Sequence, residues 1–250
     1  MTNKLRYFIA NWKMYGDLKS LKSIGKVIKF TKLHKKKRFK LVYCPPYTLL
    51  HAFSDKLKKS TISIGAQNCH QENEYGAFTG SINAKMIRIL GAKFVILGHS
   101  ENRNDGDTDV IINQKIKSAL KQKLNVLFCI GETFSQKKKK LTNKTLKKQI
   151  SGGLKGLKKN SRIIISYEPV WSIGTGIIPK NIELERNIKF IKAEVKKQIK
   201  LKKVTVLYGG SVNLKNILTL NMIASIDGYL IGGASQKAKN LIDIIKKTYN

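Results

Sequence analysis

Short apolar runs alternate with longer, lysine-rich stretches along the whole chain, and this alternation restricts the possible folds more than any other feature. The runs are rich in β-branched and aromatic residues and have the length of strands. Most are apolar at nearly every position, as in strands that are buried on both faces. We predict eight strands: Tyr7 to Ala10, Phe39 to Tyr43, Thr61 to Gly65, Phe94 to Leu97, Val126 to Ile130, Ile163 to Tyr167, Val204 to Tyr208 and Gly228 to Ile231.

The stretches between these runs have the period of amphipathic helices. The clearest begins after Asn181, a predicted N-cap, and its apolar residues recur at spacings of three or four as far as Ile199. The first strand leads into Asn11 without the GxGxxG fingerprint of a doubly wound sheet. Eight strand–helix units in 250 residues match the (β/α)8 barrel, an α/β fold. Because no change of composition divides the chain, we predict one domain over residues 1–250.

Lysine dominates the charge. The chain has 49 Lys and Arg against 15 Asp and Glu, a net charge of +34, yet only six of the cations are Arg. Such a surplus favours polyanionic partners, whereas Arg, the forked reader of phosphates and bases, is rare. Lys, Ile and Asn are all abundant and all have A/T-rich codons, so codon bias is the second explanation and the one we favour. The runs Lys35 to Arg38 and Lys137 to Lys140 are expected on solvated surfaces.

The cysteines and the apolar runs predict a cytoplasmic location. Cys44, Cys69 and Cys129 are too few and too far apart for a CxxC metal site or a disulfide framework. No apolar run approaches the ~18 residues of a membrane span. Residues Met1 to Ala10 have neither the apolar segment nor the cleavage site of a signal peptide.

Polar residues follow several predicted strands at their carboxyl ends, where (β/α)8 barrels place their reacting groups. Glu168 comes directly after the sixth strand, beside a segment from Val170 to Gly176 that has the Gly and Trp content of a mobile lid. Lid closure would remove water from the carboxylate and strengthen it as a general base. His99 follows the fourth strand at a predicted helix start, where the helix dipole favours a neutral imidazole that donates a hydrogen bond.

A cation and a phosphate cradle complete this set. Asn11 and Lys13 follow the first strand, and this position distinguishes Lys13 from the other lysines. Gly209-Gly210-Ser211 and Gly232-Gly233 follow the seventh and eighth strands, which form the common phosphate site of the fold. Each residue taken singly is more often structural, and it is the combination that indicates an active site.

These residues resemble one family, the triosephosphate isomerases, along the whole chain. The matching segments, in chain order, are Asn11 to Lys13, Gly65 to His70, Tyr75 to Gly80, Gly98 to Glu101, Cys129 to Glu132, Tyr167 to Gly176, Tyr208 to Val212 and Asp227 to Ser235. The chain departs from the family pattern at Asn102, where arginine is usual, at Ile177-Ile178-Pro179 in the lid hinge, and at Gln236, where leucine is common.

The resemblance implies interconversion of dihydroxyacetone phosphate and D-glyceraldehyde 3-phosphate through an enediolate, in glycolysis and gluconeogenesis, without cofactor or metal. Glu168 would move the proton between the two substrate carbons, and His99 would polarise the carbonyl. Lys13 would supply positive charge, and Asn11 would orient the oxygen.

The resemblance also assigns supporting residues. Glu101 would be a partner of Lys13, and Cys129 a buried packing residue beside Glu168. A lid of residues 170–179 would close over the phosphate and keep water from the enediolate. The phosphate would be bound by Gly174, Ser211, Gly232 and Gly233.

A homodimer is implied as well. The loop from Gln71 to Gly80 would insert into a neighbouring copy beside its Asn11 and Lys13, with Thr79 as the residue that reaches across. No membrane and no specific nucleic acid are expected as partners.

Two other functions remain open. Another phosphate-binding barrel isomerase would share the cradle, but it would have no need of Asn11, Lys13, His99 and Glu168 together. A nucleic-acid-binding protein built on a barrel that has lost its activity would explain the charge, but it would be expected to lack catalytic residues.

Overall fold

Eight parallel strands close into a barrel in the computed structural model, which describes residues 4–34 and 38–249. The strands are β1 (Arg6–Asn11), β2 (Phe39–Cys44), β3 (Ser63–Ala66), β4 (Phe94–Leu97), β5 (Asn125–Ile130), β6 (Ile163–Tyr167), β7 (Val206–Tyr208) and β8 (Gly228–Ile231). Each strand pairs with the next, and β8 returns to β1 with Tyr7 opposite Gly228. The predicted (β/α)8 barrel is therefore confirmed.

Ten α-helices are present in the described ranges, and they connect the strands around the outside of the barrel. They are α1 (Leu21–Leu33), α2 (Tyr47–Leu57), α3 (Ala84–Ile89), α4 (Ser100–Asn104), α5 (Asp109–Lys121), α6 (Phe134–Lys138), α7 (Thr142–Gly153), α8 (Asn181–Ile199), α9 (Ile217–Asn221) and α10 (Ala238–Tyr249). None of these helices has the length and apolar content that a membrane crossing requires. Residues 35–37 of the first lysine run, like residues 1–3 and 250 of the predicted domain, lie outside the described part.

Each strand sends side chains into two apolar layers. In β1, Phe8 and Ala10 point outward and join the layer between the barrel and the helices. Ile9, between them, joins the smaller layer that fills the barrel interior. Successive side chains of a strand alternate in direction, so burial of both faces requires the nearly continuous apolar runs seen in the sequence.

Two strands begin later than predicted. The β3 ladder begins at Ser63, paired with Val42, and the predicted first residue Thr61 is exposed. The β7 ladder begins at Val206, paired with Ile165. In both cases the apolar or β-branched run begins before the chain pairs with the preceding strand. A prediction from residue type alone therefore starts the strand earlier than its hydrogen bonds do.

The predicted N-cap of α8 is wrong by one residue. Lys180 has the extended backbone of a cap, with φ −56° and ψ 142°, and Asn181 is the first helical residue. The carbonyl of Lys180 accepts the N–H of Leu184, so the helix is already initiated before the Asn181 side chain could cap it.

Candidate active site

A cavity of about 440 Å³ lies at the carboxyl ends of the strands. Residues that follow β1, β4, β6, β7 and β8 line it, which is the end of the barrel where this fold carries its chemistry. Seven of the eight predicted site residues are part of its wall, namely Asn11, Lys13, His99, Gly174, Ser211, Gly232 and Gly233. The eighth, Glu168, lies just behind this wall.

Lys13 reaches the cavity from a backbone turn that its neighbours stabilise. Its φ is +53°, in the left-handed region, and its N–H donates to Asn11 Oδ1 at 3.0 Å. Gln67 Nε2 donates to the carbonyls of Lys13 and Cys44, both at 2.8 Å. The ammonium lies 2.6 Å from Glu101 Oε1. Asn11 therefore shapes the turn that presents Lys13, and Glu101 is the partner of its charge.

His99 is the N-cap of α4, and its ring orientation follows from that position. Nδ1 accepts the backbone N–H of Glu101 at 3.3 Å, so this nitrogen carries no proton and a neutral ring has its proton on Nε2. One Glu101 carboxylate oxygen also lies 3.5 Å from Nδ1, but that carboxylate is already neutralised by Lys13. Nε2 is 3.8 Å from Glu168 Oε2. The capping bond thus directs an N–H toward the reacting end of the site.

Glu168 is a buried carboxylate directly after β6. Its side chain is only 2% exposed, and Ser166 Oγ donates to Oε1 at 3.2 Å. Within the described residues Oε2 is buried without a hydrogen-bond partner. A buried oxygen of this kind costs free energy, so its retention indicates a functional reason. The residues that line the cavity include His99 but not Glu168. The Glu168 side chain must therefore rotate toward the cavity, beside His99, before its carboxylate can contact a ligand.

Two glycines allow other strands to approach Glu168 closely. A Cβ on Gly209 would lie 2.6 Å from both Glu168 Cγ and Ser166 Oγ. A Cβ on Gly131 would lie 1.8 Å from the Glu168 carbonyl oxygen. The base is therefore enclosed by backbone on two sides, and no larger residue fits at either position without displacing it.

Main-chain groups form the far wall of the cavity. Gly232 and Gly233 lead from β8 into a short 3₁₀ turn, Gly233–Ser235, and a Cβ on Gly233 would meet nothing within 4 Å. Ser235 Oγ donates to the carbonyls of Ile231 and Gly232 at 2.9 and 2.7 Å, which fixes the turn. On the adjacent loop, Asn216 Nδ2 donates to Ser211 O at 3.0 Å. Open main-chain amides next to a cation suit a phosphate group.

The predicted lid leaves β6 through a 3₁₀ turn, Val170–Ser172, that is bonded to two neighbouring loops. Trp171 Nε1 donates to Glu132 Oε1 at 3.0 Å. Ser172 Oγ donates to Ile177 O at 2.6 Å and is 2.8 Å from Tyr208 Oη. The tip, residues 174–177, is exposed, and Gly174 and Gly176 have φ values of +73° and +80°. A bonded base and an exposed, glycine-containing tip are the features of a hinged segment.

Glu132 joins the lid to the strand that carries the base. It is fully buried and accepts hydrogen bonds from Tyr167 Oη at 3.1 Å and from Trp171. Burial raises the pKa of the Glu132 carboxyl, and these hydrogen bonds oppose the rise. Burial and the Glu132 charge together raise the pKa of Tyr167 well above its usual range. Asn187 Nδ2 donates to Tyr167 Oη at 2.9 Å and completes the network.

The cysteines are all buried. Cys129 lies inside the barrel, and burial together with the Glu168 charge raises the pKa of its thiol well above the ordinary value. Burial likewise raises the pKa of Cys69 to about 12. These thiols are protonated packing groups rather than nucleophiles. Across residues 4–34 and 38–249, no group of three or more His, Cys, Asp or Glu side chains is arranged to hold a metal ion.

Several site residues had no individual role assigned from the sequence: Gln67, Glu132, Ser166, Ser172 and Tyr208. Gly209 was expected in the phosphate cradle, but its close approach to Glu168 was not predicted. All of these residues except Ser166 belong to segments that match the family pattern, so the sequence marked their positions without indicating their contacts. Ser166 precedes Glu168 by two residues at the end of one strand, a spacing that places both on the same face and could have suggested the contact.

Comparisons with known proteins agree with this geometry. The family model described as triosephosphate isomerase matches residues 6–248. The chain is 41% identical to the triosephosphate isomerase of Dictyoglomus thermophilum, over 95% of this chain and 97% of that protein. It is 38% identical to the triosephosphate isomerase of a Bradyrhizobium species, over 98% and 99% of the two chains.

A solved structure is similar throughout. The crystal structure of triosephosphate isomerase from Bartonella henselae superposes with a TM-score of 0.89 at 33% identity, and the match covers 98% of this chain and 99% of that one. The match by sequence and by structure extends over the barrel and all of the site loops. The chain therefore belongs to the triosephosphate isomerase family.

Proposed function

We propose that the cavity interconverts dihydroxyacetone phosphate and D-glyceraldehyde 3-phosphate. The reaction moves one proton between C1 and C2, the two carbons that do not bear the phosphate, and another between the oxygens on those carbons. It therefore needs a base that takes the carbon-bound proton and returns it, and groups that stabilise the enediolate in between. The observation that carries the proposal is the convergence of His99, Lys13 and a glycine cradle on one cavity, with a buried carboxylate 3.8 Å behind His99.

Glu168 is the proposed base. Its carboxylate turns into the cavity, removes the proton from the carbon beside the carbonyl, and delivers the same proton to the neighbouring carbon. Its burial suits this task because the protein shields the carboxylate from bulk water until it meets the ligand. Ser166 holds the resting position through Oε1.

His99 and Lys13 act on the oxygen atoms. As the proton leaves carbon, negative charge develops on the carbonyl oxygen, and the Nε2–H of a neutral His99 donates a hydrogen bond to it. The Lys13 ammonium adds positive charge at the same wall of the cavity. Asn11 orients the oxygen and holds the turn of Lys13.

The phosphate is bound by main-chain groups at the opposite wall, supplied by Gly174, Ser211, Gly232 and Gly233. Gly174 belongs to the lid, so phosphate binding and lid closure are linked. The closed lid of residues 170–179 excludes water, which prevents loss of phosphate from the enediolate. This chemistry needs no metal and no cofactor. The proposed reaction is a step of glycolysis and gluconeogenesis, and a cytoplasmic location is part of the proposal.

Replacing Glu168 by glutamine tests the assignment. The amide keeps the shape of the side chain but cannot accept the proton, so kcat should fall by about 10²–10⁴-fold or more. Turnover is measured by coupling the formation of glyceraldehyde 3-phosphate to its dehydrogenase. Glu185→Gln, which changes a partly exposed glutamate on α8, is the matched control and should keep wild-type turnover. Near-wild-type activity of Glu168→Gln would exclude Glu168 as the base.

A homodimer is proposed from the exposed surface around the loop from Gln71 to Gly80. Tyr75 and Phe78 on this loop are exposed, and Met14, close in sequence to Lys13, is 94% exposed. Large apolar side chains exposed in this way favour a protein interface. The loop would insert beside Asn11 and Lys13 of a second copy, with Thr79 reaching across.

Thr79→Asp tests this interface because it places a charge in the proposed contact. Sedimentation equilibrium should show a dimer for the wild type and a monomer for this variant. Asn143→Asp, on the exposed surface of α7, is the control and should remain dimeric. A dimer in both variants would contradict the proposed interface.

A further inference from the structure

Gln236, a departure from the family pattern, is part of the wall of the active-site cavity. It directly follows the short 3₁₀ turn, Gly233–Ser235, beside the proposed phosphate cradle. Leucine, which is common at this position in the family, has no hydrogen-bonding group, whereas the carboxamide of glutamine has two N–H donors and an acceptor oxygen. Gln236 thus adds a polar group to the cavity wall.

The turn places Gln236 on the same face as Gly233. The N–H of Gln236 donates to the Gly233 carbonyl at 3.2 Å, and Gln236 itself has helical φ and ψ of −68° and −32°. In a 3₁₀ helix, residues three apart are aligned on one face and lie ~6 Å apart along the axis. Helical side chains lean toward the amino-terminal end of their helix. This geometry directs the Gln236 side chain along the turn toward Gly233 and the cradle.

The space in front of the cradle is open and lies next to a cation. A Cβ on Gly233 would meet no atom within 4 Å, so no side chain of the turn blocks the path from Gln236. A Cβ on Gly232 would lie 3.7 Å from Lys13 Cε, so the stem of that lysine passes the same place. An anion bound here would meet main-chain N–H groups and the Lys13 charge together.

The Gln236 carboxamide is unused by the protein itself. Within residues 4–34 and 38–249 it forms no hydrogen bond, although the residue is half-buried. The neighbouring Ser235 hydroxyl, by contrast, donates to the carbonyls of Ile231 and Gly232. A half-buried donor that is left free beside a phosphate cradle favours a bond to the ligand.

We propose that the Gln236 carboxamide donates a hydrogen bond to the substrate phosphate and supplements the main-chain cradle. The inference rests on the proposed function, because it assumes that the anion at Gly232 and Gly233 is the phosphate of a triose phosphate. This donor acts on the phosphate and not on the reacting carbons. It therefore strengthens the binding of phosphate compounds and leaves the reaction of a phosphate-free substrate unchanged.

The first measurement observes the Gln236 side chain directly. In ¹⁵N-labelled protein its NH₂ resonances are those that disappear in Gln236→Met, a change that keeps the length of the side chain and removes the donors. Inorganic phosphate, added at constant ionic strength, should shift these resonances together with the main-chain N–H resonances of Gly232 and Gly233. The NH₂ resonances of Gln198, an exposed residue of α8, are the internal control and should not move.

The second measurement compares affinities for inorganic phosphate, taken from the shifts of Gly232 and Gly233. In Gln236→Met the dissociation constant should rise about three- to tenfold, because a hydrogen bond to a charged group is lost and water competes for that bond at a half-buried side chain. Gln236→Glu keeps the shape and adds a negative charge, so it should weaken binding further. Gln198→Met is the matched control and should keep the wild-type affinity.

The third measurement distinguishes phosphate binding from damage to the cavity. In Gln236→Met we expect kcat/KM to fall about three- to tenfold for D-glyceraldehyde 3-phosphate. For D-glyceraldehyde, which has no phosphate, kcat/KM should equal that of the wild type. Equal falls for the two substrates would show that Gln236 supports the cavity and does not bind the phosphate.

Two further results would overturn the proposal. One is a set of Gln236 NH₂ resonances that stay in place while those of Gly232 and Gly233 shift, and the other is a phosphate affinity of Gln236→Met that matches Gln198→Met. An absence of shifts at both glycines would contradict the cradle and the proposal with it. Failure of the proposed function is recognised separately, since the wild-type protein would then lack isomerase turnover while the phosphate titration still reports the Gln236 bond.

Discussion

Replacing Gly209 by alanine places a methyl group directly against the proposed base. The N–H of Gly209 donates to Tyr167 O at 2.8 Å, which fixes the backbone of Gly209 beside β6. The new Cβ would lie 2.6 Å from Glu168 Cγ, about 0.8 Å short of ordinary contact. The backbone cannot withdraw without breaking its bond to β6, so the side chains of Glu168 and Ser166 must move.

The size of this displacement sets the expected loss. Misplacing a catalytic group by ~1 Å costs about 10²-fold in rate, equivalent to ~2.7 kcal/mol of transition-state stabilisation. We expect kcat to fall by roughly 10²-fold while KM changes little, because the methyl group points at Glu168 rather than at the phosphate cradle. The coupled assay described for Glu168→Gln measures both constants.

A matched glycine distinguishes this effect from a general one. Gly25 lies within α1, and a Cβ there would meet nothing within 4 Å, so Gly25→Ala should keep wild-type kinetics and gain up to ~1 kcal/mol of stability from helix propensity. A Gly209→Ala variant with kcat within threefold of the wild type, or with its loss confined to KM, would refute the reasoning.

Three further predictions concern stability and assembly. Lys115→Met removes the ammonium that lies 2.7 Å from the mostly buried Asp107 carboxylate. The free energy of unfolding, measured with urea, should fall by about 3–5 kcal/mol, and a fall of less than ~1 kcal/mol would contradict this. Burial raises the pKa of Glu132, so at pH values between the ordinary and the raised pKa the folded state binds more protons than the unfolded state. The free energy of unfolding therefore falls as the pH rises through this window. Glu132→Gln should make the urea midpoint less dependent on pH in the same window. Two protomers of net charge +34 repel each other, and salt screens this repulsion. The proposed dimer should therefore be tighter at ~0.3 M salt than at ~0.01 M, where the Debye length is ~30 Å. A dimer dissociation constant that does not change with salt in sedimentation equilibrium would argue against this prediction.

The strands and the positions of the site residues were predictable because both depend on local patterns. Burial of both strand faces produces runs that are visible without any structure, and the fold then places the residue after each run at one end of the barrel. This is why Asn11, Lys13 and His99 could be expected to share a cavity. The bounds were less accurate at β3 and β7, where the strand begins only when its neighbour is in reach.

The arrangement around Glu168 and the lid was not predictable in this way. Trp171 donates a hydrogen bond to Glu132, and Lys137 forms an ion pair with Glu183; each contact joins segments far apart in sequence. No local pattern around these residues indicates the partner. The buried position of Glu168 behind His99 depends on side-chain rotamers and on the space left by Gly209, neither of which composition or period encodes. Long-range packing decides these features, so only the structure shows them.

The placement of the few carboxylates gives the net charge of +34 a structural interpretation. The chain has 15 acidic residues against 49 cations, so most lysines have no carboxylate available as a partner. Several of these carboxylates form specific ion pairs in the structure. Glu101 neutralises Lys13, and Asp227 accepts Lys4 and Lys192 beneath the barrel. Within the described residues, lysines occur on eight of the ten helices (α1, α2, α3, α5, α6, α7, α8 and α10) and in many of the loops, so they surround the barrel rather than forming one face. A surface selected for nucleic acid would gather its cations on one side and use arginine, so this distribution favours codon bias, with faster encounter of a phosphate dianion as its physical consequence.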